Sequence, residues 1–185
     1  MNKKVSLLLF GLMFTGSMLL GQQAAEVSYS FTRQTGPGSN QYAIWIENAR
    51  GEFVKTIHAT RWTANGGWRT RPTSIPFWVR QSGLSTSPRE QVDVISGATP
   101  ATGTVAFTHT WDGTDYRGQA VPSGNYVLIF EATIRGANQV YYRVPIQLGH
   151  GTSVPQVTVG YYIEGDTDTT IEREMISNLT VRVLR

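Results

Sequence analysis

The sequence predicts an all-β fold, and the spacing of its strands favours a β-sandwich. Short segments alternate apolar and polar residues, which is the pattern of half-buried strands. Glycine- and proline-containing turns separate these segments at regular intervals, as in two-sheet domains. About 160 residues follow a predicted export signal in the chain of 185, a length that suits one domain with a sizeable core. The prediction is therefore a single β-sandwich domain over residues 26–185.

The N-terminus has the three regions of a secretory signal peptide. Lys3 and Lys4 give a positive start, residues 5–20 form a short apolar run, and small residues follow at Ala24 and Ala25. This order predicts a signal peptide over residues 1–25 and a periplasmic protein, with a retained N-terminal anchor as the alternative. No stable membrane insertion is expected once the signal is cleaved.

Charge and cysteine content restrict the class of protein. The full chain has 16 Lys+Arg against 13 Asp+Glu and no cysteine. Loss of Lys3 and Lys4 with the signal leaves 14 basic against 13 acidic residues, so a nucleic-acid partner is not expected. Without cysteine the domain holds no disulfide, and its stability must come from an ordinary core.

The first half of the mature chain contains three strands and one short helix. Residues 27–33 and 41–47 alternate, and 53–59 returns across a turn at Gly51 as a hairpin. Residues 61–74 are broken by glycine and proline. Residues 75–82 are predicted to form a short helix with Pro76 in its first turn, where the missing N–H costs little.

The second half is predicted to be β-structure after a loop at 83–103. Strands are expected at 104–111, 125–134, 139–148, 156–164 and 177–184. The segment 125–134 is apolar on both faces, which predicts a central strand covered by a second sheet. Pro145 predicts that 139–148 is an edge strand or carries a bulge.

Two resemblances support this architecture. The segment "WDGTDYRGQAVPSGNY", residues 111–126, resembles the signature of the immunoglobulin-like domain of flagellar hook-capping proteins. That likeness implies an immunoglobulin-like β-sandwich in which Trp111 closes one end and Tyr126 begins an inward strand. The order of "YAIWIENARGEFVKTI", "VDVISGATPATG", "WDG" and "GNYVLIFEA" is similar to a family of predicted periplasmic proteins of unknown function.

The stretch "VDVISGATP", residues 92–100, resembles the attachment motif of covalent-FMN proteins. In those proteins an exported flavinyl transferase joins the FMN phosphate to the last threonine. The resemblance implies that Thr99 carries covalent FMN and that Asp93, Ser96, Gly97 and Ala98 form the recognition loop. Pro100 departs from the motif, which usually continues with Ser or Thr. The alternatives are a structural loop, or a protein that partners a redox system without carrying its cofactor.

Aromatic and arginine residues alternate in the long loop and the helix that follows it. Trp62, Trp68 and Trp78 are candidates for stacking on a sugar or a flavin ring, with arginine beside them. The alternative is a satellite core beneath the loop, in which the indole rings are structural.

The sequence contains no recognisable motif for metal binding or catalysis. His58, His109 and His150 have no ligand-like spacing, and the acidic segment 164–172 is interpreted as a solvated turn rather than a calcium loop. No nucleophile elbow or zinc-protease motif occurs. We therefore expect no metal site, no catalytic residue and no enzymatic activity.

Together these observations predict an exported, non-enzymatic binding or accessory protein associated with a flavin-linked extracytoplasmic redox system. The expected partner is a periplasmic or envelope protein, such as a flavinyl transferase or a redox membrane protein. The competing interpretations are an interaction module of the cell envelope and a carbohydrate-binding module that uses the Trp62–Trp78 loop.

Overall fold

The computed structural model describes residues 25–36, 40–87, 93, 95–149, 157–162 and 175–184. The all-β prediction is confirmed. The strands are β1 Ala25–Thr32, β2 Gln41–Asn48, β3 Phe53–Thr60, β4 Ser96–Gly97, β5 Thr104–Trp111, β6 Gly124–Arg135, β7 Asn138–Leu148, β8 Thr158–Tyr162 and β9 Ile176–Val183. Two short α-helices, α1 Arg61–Ala64 and α2 Pro76–Gln81, and a 3₁₀ turn at Gly67–Arg69 are also present. The short helix predicted at 75–82 is thus confirmed, and the predicted signal peptide lies outside the described residues except for Ala25.

The strands form two sheets. One has three strands in the order β5-β1-β9, and the other has six in the order β4-β3-β2-β6-β7-β8. Neighbouring strands are antiparallel except for β3 and β4. The expected hairpin of β2 and β3 is present, and β6 and β7 form a second hairpin.

The two sheets share one apolar core. Alternate residues of β1 point into it, as Val27, Tyr29 and Phe31, each no more than 2% exposed. From the six-stranded sheet Tyr42 and Phe130 meet the Tyr29 ring edge-on, with ring centroids 5.9 and 4.9 Å away. We call this side of the six-stranded sheet its inner face. Its packing is the main hydrophobic contribution to stability.

The opposite side of the six-stranded sheet, its outer face, is covered by residues 61–84, which we call the covering segment. Trp45 and Ile129 of the sheet pack with Ile75, Trp78 and Val79 in a second apolar cluster. The sequence correctly predicts that β6 is buried on both faces. A second sheet covers only the inner face, however, and the outer face is covered by loop and short helix.

Hydrogen bonds from buried polar side chains fix the covering segment to the sheet. Glu131, fully buried, accepts from the backbone N–H of Phe77 (Oε1, 3.1 Å) and of Trp78 (Oε2, 2.8 Å). Thr133 Oγ1 accepts from the N–H of Ile75 at 3.0 Å. A buried donor without a partner is costly, so these acceptors determine where α2 begins.

Two smaller predictions concern Trp111 and Pro145. Trp111 is 1% exposed, stacks edge-on against Tyr126 at 5.3 Å and donates from Nε1 to the carbonyl of Thr114. The edge-strand prediction for 139–148 is wrong, because β7 lies between β6 and β8 and pairs regularly with β6 at Pro145. Pro145 nevertheless lies beyond the residues of β7 that pair with β8, so β6 is its only neighbouring strand among the described residues. The Pro145 nitrogen, which has no hydrogen to donate, therefore faces no paired strand on the β8 side.

Candidate functional site

The Ser-Gly-Ala-Thr stretch is attached to the edge of the six-stranded sheet. Ser96 and Gly97 pair in parallel with Ala59 and Thr60 of β3, and the Ala59 N–H donates to the Ile95 carbonyl at 2.8 Å. The motif therefore continues the sheet for two residues and then leaves it at Ala98. This geometry presents the residues after Gly97 at the end of the strand.

Asp93 anchors the start of this loop to the core. Its Oδ2 accepts from the Thr56 backbone N–H at 2.7 Å, and its carbonyl accepts from Thr56 Oγ1 at 3.0 Å. Thr56 Oγ1 in turn accepts from Trp78 Nε1 at 3.1 Å. Burial raises the pKa of Asp93, although the Thr56 N–H and Lys55 oppose that shift. Asp93 therefore has a clear structural role in positioning the loop.

Thr99 is half-buried and tethered to a second loop. Its Oγ1 donates to the Asn40 carbonyl at 3.2 Å. Asn40 has a left-handed backbone (φ 71°), and its side chain bonds both the N–H and the carbonyl of Gln34 at 2.8 Å. Arg33 Nη1 donates to the Pro100 carbonyl at 3.0 Å. The last part of the motif is thus held by contacts from Arg33 and Asn40. The Ile95 side chain is 45% exposed, so this residue attaches the loop through its backbone carbonyl and not through apolar packing.

Thr99 and Ala98 line a cleft together with the start of the covering segment. The cleft has a volume of about 480 Å³, and its other walls come from Arg61, Trp62, Asn65 and Gly67. We call it the Thr99 cleft. Its volume is within the range that is usual for pockets that bind small molecules. The structure therefore brings together two groups of residues that the sequence presents as separate candidates, the motif and the tryptophan-rich loop.

Trp62 is the indole that faces this cleft. It is 40% exposed, and the Arg71 guanidinium lies 4.5 Å from its ring centroid. A side chain at Gly67 has no room, because a Cβ there would lie 2.3 Å from the Trp62 ring. Arg71, which is not one of the residues that line the cleft, therefore already covers one face of the Trp62 ring.

The other two tryptophans lie elsewhere. Trp78 is 0% exposed and belongs to the outer-face cluster, so its ring has no surface for a ligand and the stacking prediction is corrected for this residue. Trp68 is half-buried against the same cluster, with Arg69 over its ring at 4.7 Å. The satellite core is thus present, and among the three tryptophans Trp62 alone lines the cleft.

A stacked histidine pair lies behind the motif, and the sequence gives no sign of it. His58 and His109 have ring centroids 4.5 Å apart, although 51 positions separate them in the chain. His109 Nε2 lies 3.1 Å from the Tyr29 hydroxyl, and Tyr42 stacks on His58 at 5.3 Å. A Cβ on Gly97 would lie 2.6 Å from His58 Cε1. Glycine at 97 is therefore required for close approach of the motif to this histidine.

Burial keeps the histidine pair neutral. Desolvation, with the nearby His109 as a smaller cause, lowers the pKa of His58 to about 4. Desolvation also lowers the pKa of His109. The Nε2 of His58 is buried and has no hydrogen-bond partner among the described residues. β3 and β5 belong to different sheets and meet only because the two sheets pack together, so sequence spacing could not reveal the pair.

Metal binding and membrane spanning find no support in the described part of the chain. These residues contain no group of three His, Asp or Glu side chains arranged to hold a metal ion. Asp112, which follows β5, forms an ion pair with Lys55 Nζ at 3.1 Å. His150 and the acidic segment 164–172 lie outside the described residues. No helix in the described ranges has the length and apolar character needed to cross a membrane.

Comparison with known proteins gives one family. The family described as "Predicted periplasmic protein (DUF2271)" matches residues 24–163, which include the whole motif and the Thr99 cleft. No curated protein and no solved structure matches this chain.

Proposed function

The chain belongs to the DUF2271 family of predicted periplasmic proteins, and on that premise we propose that it is a non-enzymatic carrier of covalently bound flavin. Thr99 is the proposed attachment site for FMN, within an extracytoplasmic redox system. The observation that carries this proposal is the position of Thr99 and Ala98 in one cleft with Trp62. The motif alone is short, and this juxtaposition supplies an independent reason to expect an aromatic ligand there.

The residues around Thr99 fit FMN in chemical type. An indole ring is a suitable neighbour for a flat aromatic ring system. Arg61 lines the cleft and makes no ion pair with any described residue, and Arg71 lies over Trp62. Both guanidinium groups are suited to a phosphate. Bound FMN supplies reversible electron transfer, and the protein residues bind and orient it.

Attachment at Thr99 requires one local change. The Thr99 hydroxyl donates its proton to the Asn40 carbonyl, and an esterified oxygen has no proton to donate. In the proposed step Thr99 Oγ1 bonds to the FMN phosphorus of an FAD donor held by a partner transferase. The phosphoanhydride bond of FAD breaks, AMP leaves, and a base of the transferase accepts the hydroxyl proton. Because the tether to Asn40 is a single neutral hydrogen bond, its loss costs only about 1 kcal/mol.

The test is co-expression with a flavinyl transferase in a periplasmic host, followed by denaturing electrophoresis with in-gel flavin fluorescence. The wild-type band is expected to fluoresce, and Thr99→Ala is expected to lose the signal. Thr99→Ser retains a hydroxyl group and should keep part of the flavin fluorescence. Thr102→Ala is the matched control, because Thr102 is exposed and lies just beyond the motif. A dark wild-type band beside a fluorescent known acceptor would refute the proposal.

The immunoglobulin-like class and the partner are parts of the same proposal. Two mainly antiparallel sheets that share one core support the class. A flavin carrier exchanges electrons with a membrane or periplasmic redox protein, which we propose as the partner. If Thr99 is unmodified, the alternative is an envelope interaction module, and crosslinking in intact cells would then identify what it binds.

A further inference from the structure

A second cleft on the outer face has the character of a binding site for a different ligand. Its walls include Phe77, Tyr141, Arg80 and Arg143, and its volume is about 400 Å³. We call it the Phe77 cleft. It shares no lining residue with the Thr99 cleft, so a ligand here does not depend on the flavin proposal.

The Phe77 cleft has aromatic walls over an apolar floor. Phe77 is 43% exposed, which is unusual for a large apolar ring, and Tyr141 meets it edge-on with centroids 5.1 Å apart. Trp45 and Ile129 form the floor and are at most 3% exposed. A flat apolar ligand would remove the exposed Phe77 surface from water, which is favourable in proportion to the area covered.

Two arginines border the same cleft. The Arg80 guanidinium lies 4.7 Å from the Phe77 ring centroid, which holds it at the rim. Arg143, on β7, is also exposed at the cleft. Neither makes an ion pair with another described residue. Two guanidinium groups beside an apolar cavity are suited to an anionic group on an aromatic ligand.

Two acids lie near these arginines, and Glu47 is itself part of the cleft lining. Glu47 is 5% exposed, and its Oε1 accepts from Trp45 Nε1 at 2.9 Å and Gln81 Nε2 at 3.3 Å. The Glu131 carboxyl group accepts hydrogen bonds from the backbone N–H groups of Phe77 and Trp78 in α2. Burial raises the pKa of Glu131 to about 8, despite opposing effects of its hydrogen bonds and of Arg80. The cleft lining thus holds two guanidinium groups against the single carboxyl group of Glu47, so basic groups outnumber acidic ones.

We propose that the Phe77 cleft binds a small planar aromatic anion, such as an aromatic carboxylate. The ring occupies the space beside Phe77 and Tyr141, and its carboxylate pairs with Arg80 and Arg143. Charge complementarity selects the anion, and the aromatic walls select the flat ring. An acidic peptide would use the arginines without needing the apolar cavity.

The test uses 2-naphthoate as the probe and isothermal titration calorimetry as the measurement. Saturable one-to-one binding is expected, with 2-naphthamide, the neutral analogue, binding about tenfold more weakly. Arg143→Gln and Arg80→Gln are each expected to weaken naphthoate binding by a similar factor, about tenfold, and to leave naphthamide unchanged. Arg117→Gln is the matched control, because Arg117 also lies over an exposed ring, that of Tyr116, but outside the cleft.

Several results would overturn this proposal. Equal affinity for the two probes would show that charge is not recognised. An equal loss in Arg117→Gln would show general attraction to positive charge. Absence of saturable binding by a protein with a native circular dichroism spectrum would exclude the site, and binding of a polyglutamate peptide instead would indicate an acidic protein partner. Phe77→Ala, which removes an exposed side chain, should abolish binding of both probes without unfolding the domain.

Discussion

The two faces of the six-stranded sheet are built differently, although the same strands supply both. The inner face carries Tyr42 and Phe130, both fully buried, and packs on another sheet through apolar contacts. The outer face carries Trp45, Glu131 and Thr133, and it holds the covering segment through directional hydrogen bonds. Sheet-on-sheet packing buries these two aromatic rings fully. The irregular cover leaves openings, and both the Thr99 cleft and the Phe77 cleft are lined by residues of the covering segment.

This difference separates stability from function. Gaps in apolar packing are unfavourable, because the atoms that line a cavity lose dispersion contacts. A loop fixed by a few polar anchors can leave a cleft open without losing its position. We therefore expect substitutions on the inner face to affect global unfolding and substitutions near the outer face to affect ligands or local structure.

The largest expected effect is on the inner face. Phe130→Ala removes a ring that is 0% exposed and packs against Tyr29, Tyr42 and Tyr142. The free energy of unfolding should fall by about 3–5 kcal/mol because a cavity is created. Urea denaturation measures this, with Val105→Ala as the exposed apolar control. A loss no larger than that of the control would contradict the assigned core.

The next effect concerns how the free energy of unfolding depends on pH through Glu131, on the outer face. The pKa of Glu131 is raised by burial to about 8 from its ordinary value of 4.5. Between these values the folded protein holds a proton that the unfolded chain releases, so stability falls as pH rises from about 5 to 8. Glu131→Gln cannot ionise, and denaturation at several pH values should show a flatter profile. An unchanged slope in the variant would assign the pH dependence to other groups.

Gly97→Ala tests the contact between the motif and the histidine pair. The added Cβ would lie 2.6 Å from His58 Cε1, so either the ring or β4 must move. The expected loss is about 1–3 kcal/mol, typical of overpacking. Gly160→Ala is the control, since a Cβ there has nothing within 4 Å. Equal stability of the two variants in thermal unfolding would mean that the His58 ring can move away from the added Cβ with no loss of stability.

Thr99→Ala should have the smallest effect on stability. It removes one partly buried hydrogen bond, to the Asn40 carbonyl, and so about 1 kcal/mol or less. The thermal midpoint should remain close to that of Thr102→Ala while flavin attachment is lost. A large drop in the thermal midpoint would show that the main role of Thr99 is to stabilise the fold.

Local patterns in the sequence predict much of the fold. Strict alternation in β1, the Gly51 turn and Pro76 at the start of α2 each act over a few residues, so sequence reveals them. The covering of the outer face could not be predicted, because a fully apolar strand such as β6 looks the same under a sheet or a loop. The buried Glu131 is also unpredictable, since its partners lie 53 and 54 positions away.

The candidate site was predictable only in parts. The motif and Trp62 are visible in the sequence, but their meeting in one cleft depends on the parallel pairing of β4 with β3. The pairing of His58 with His109 depends on how the two sheets meet. Trp78 shows the opposite limit: its indole is indistinguishable in sequence from that of Trp62, and only its position in the fold makes it structural.

The most direct measurement is the intact mass of the mature protein purified from its native host, with peptide mapping across residues 95–110. We expect an increment of one FMN less one water, located on Thr99. An unmodified mass, in cells whose other flavinylated proteins carry their FMN, would contradict it. The Ser-Gly-Ala-Thr stretch would then be an edge strand and turn held by Asp93 and Asn40.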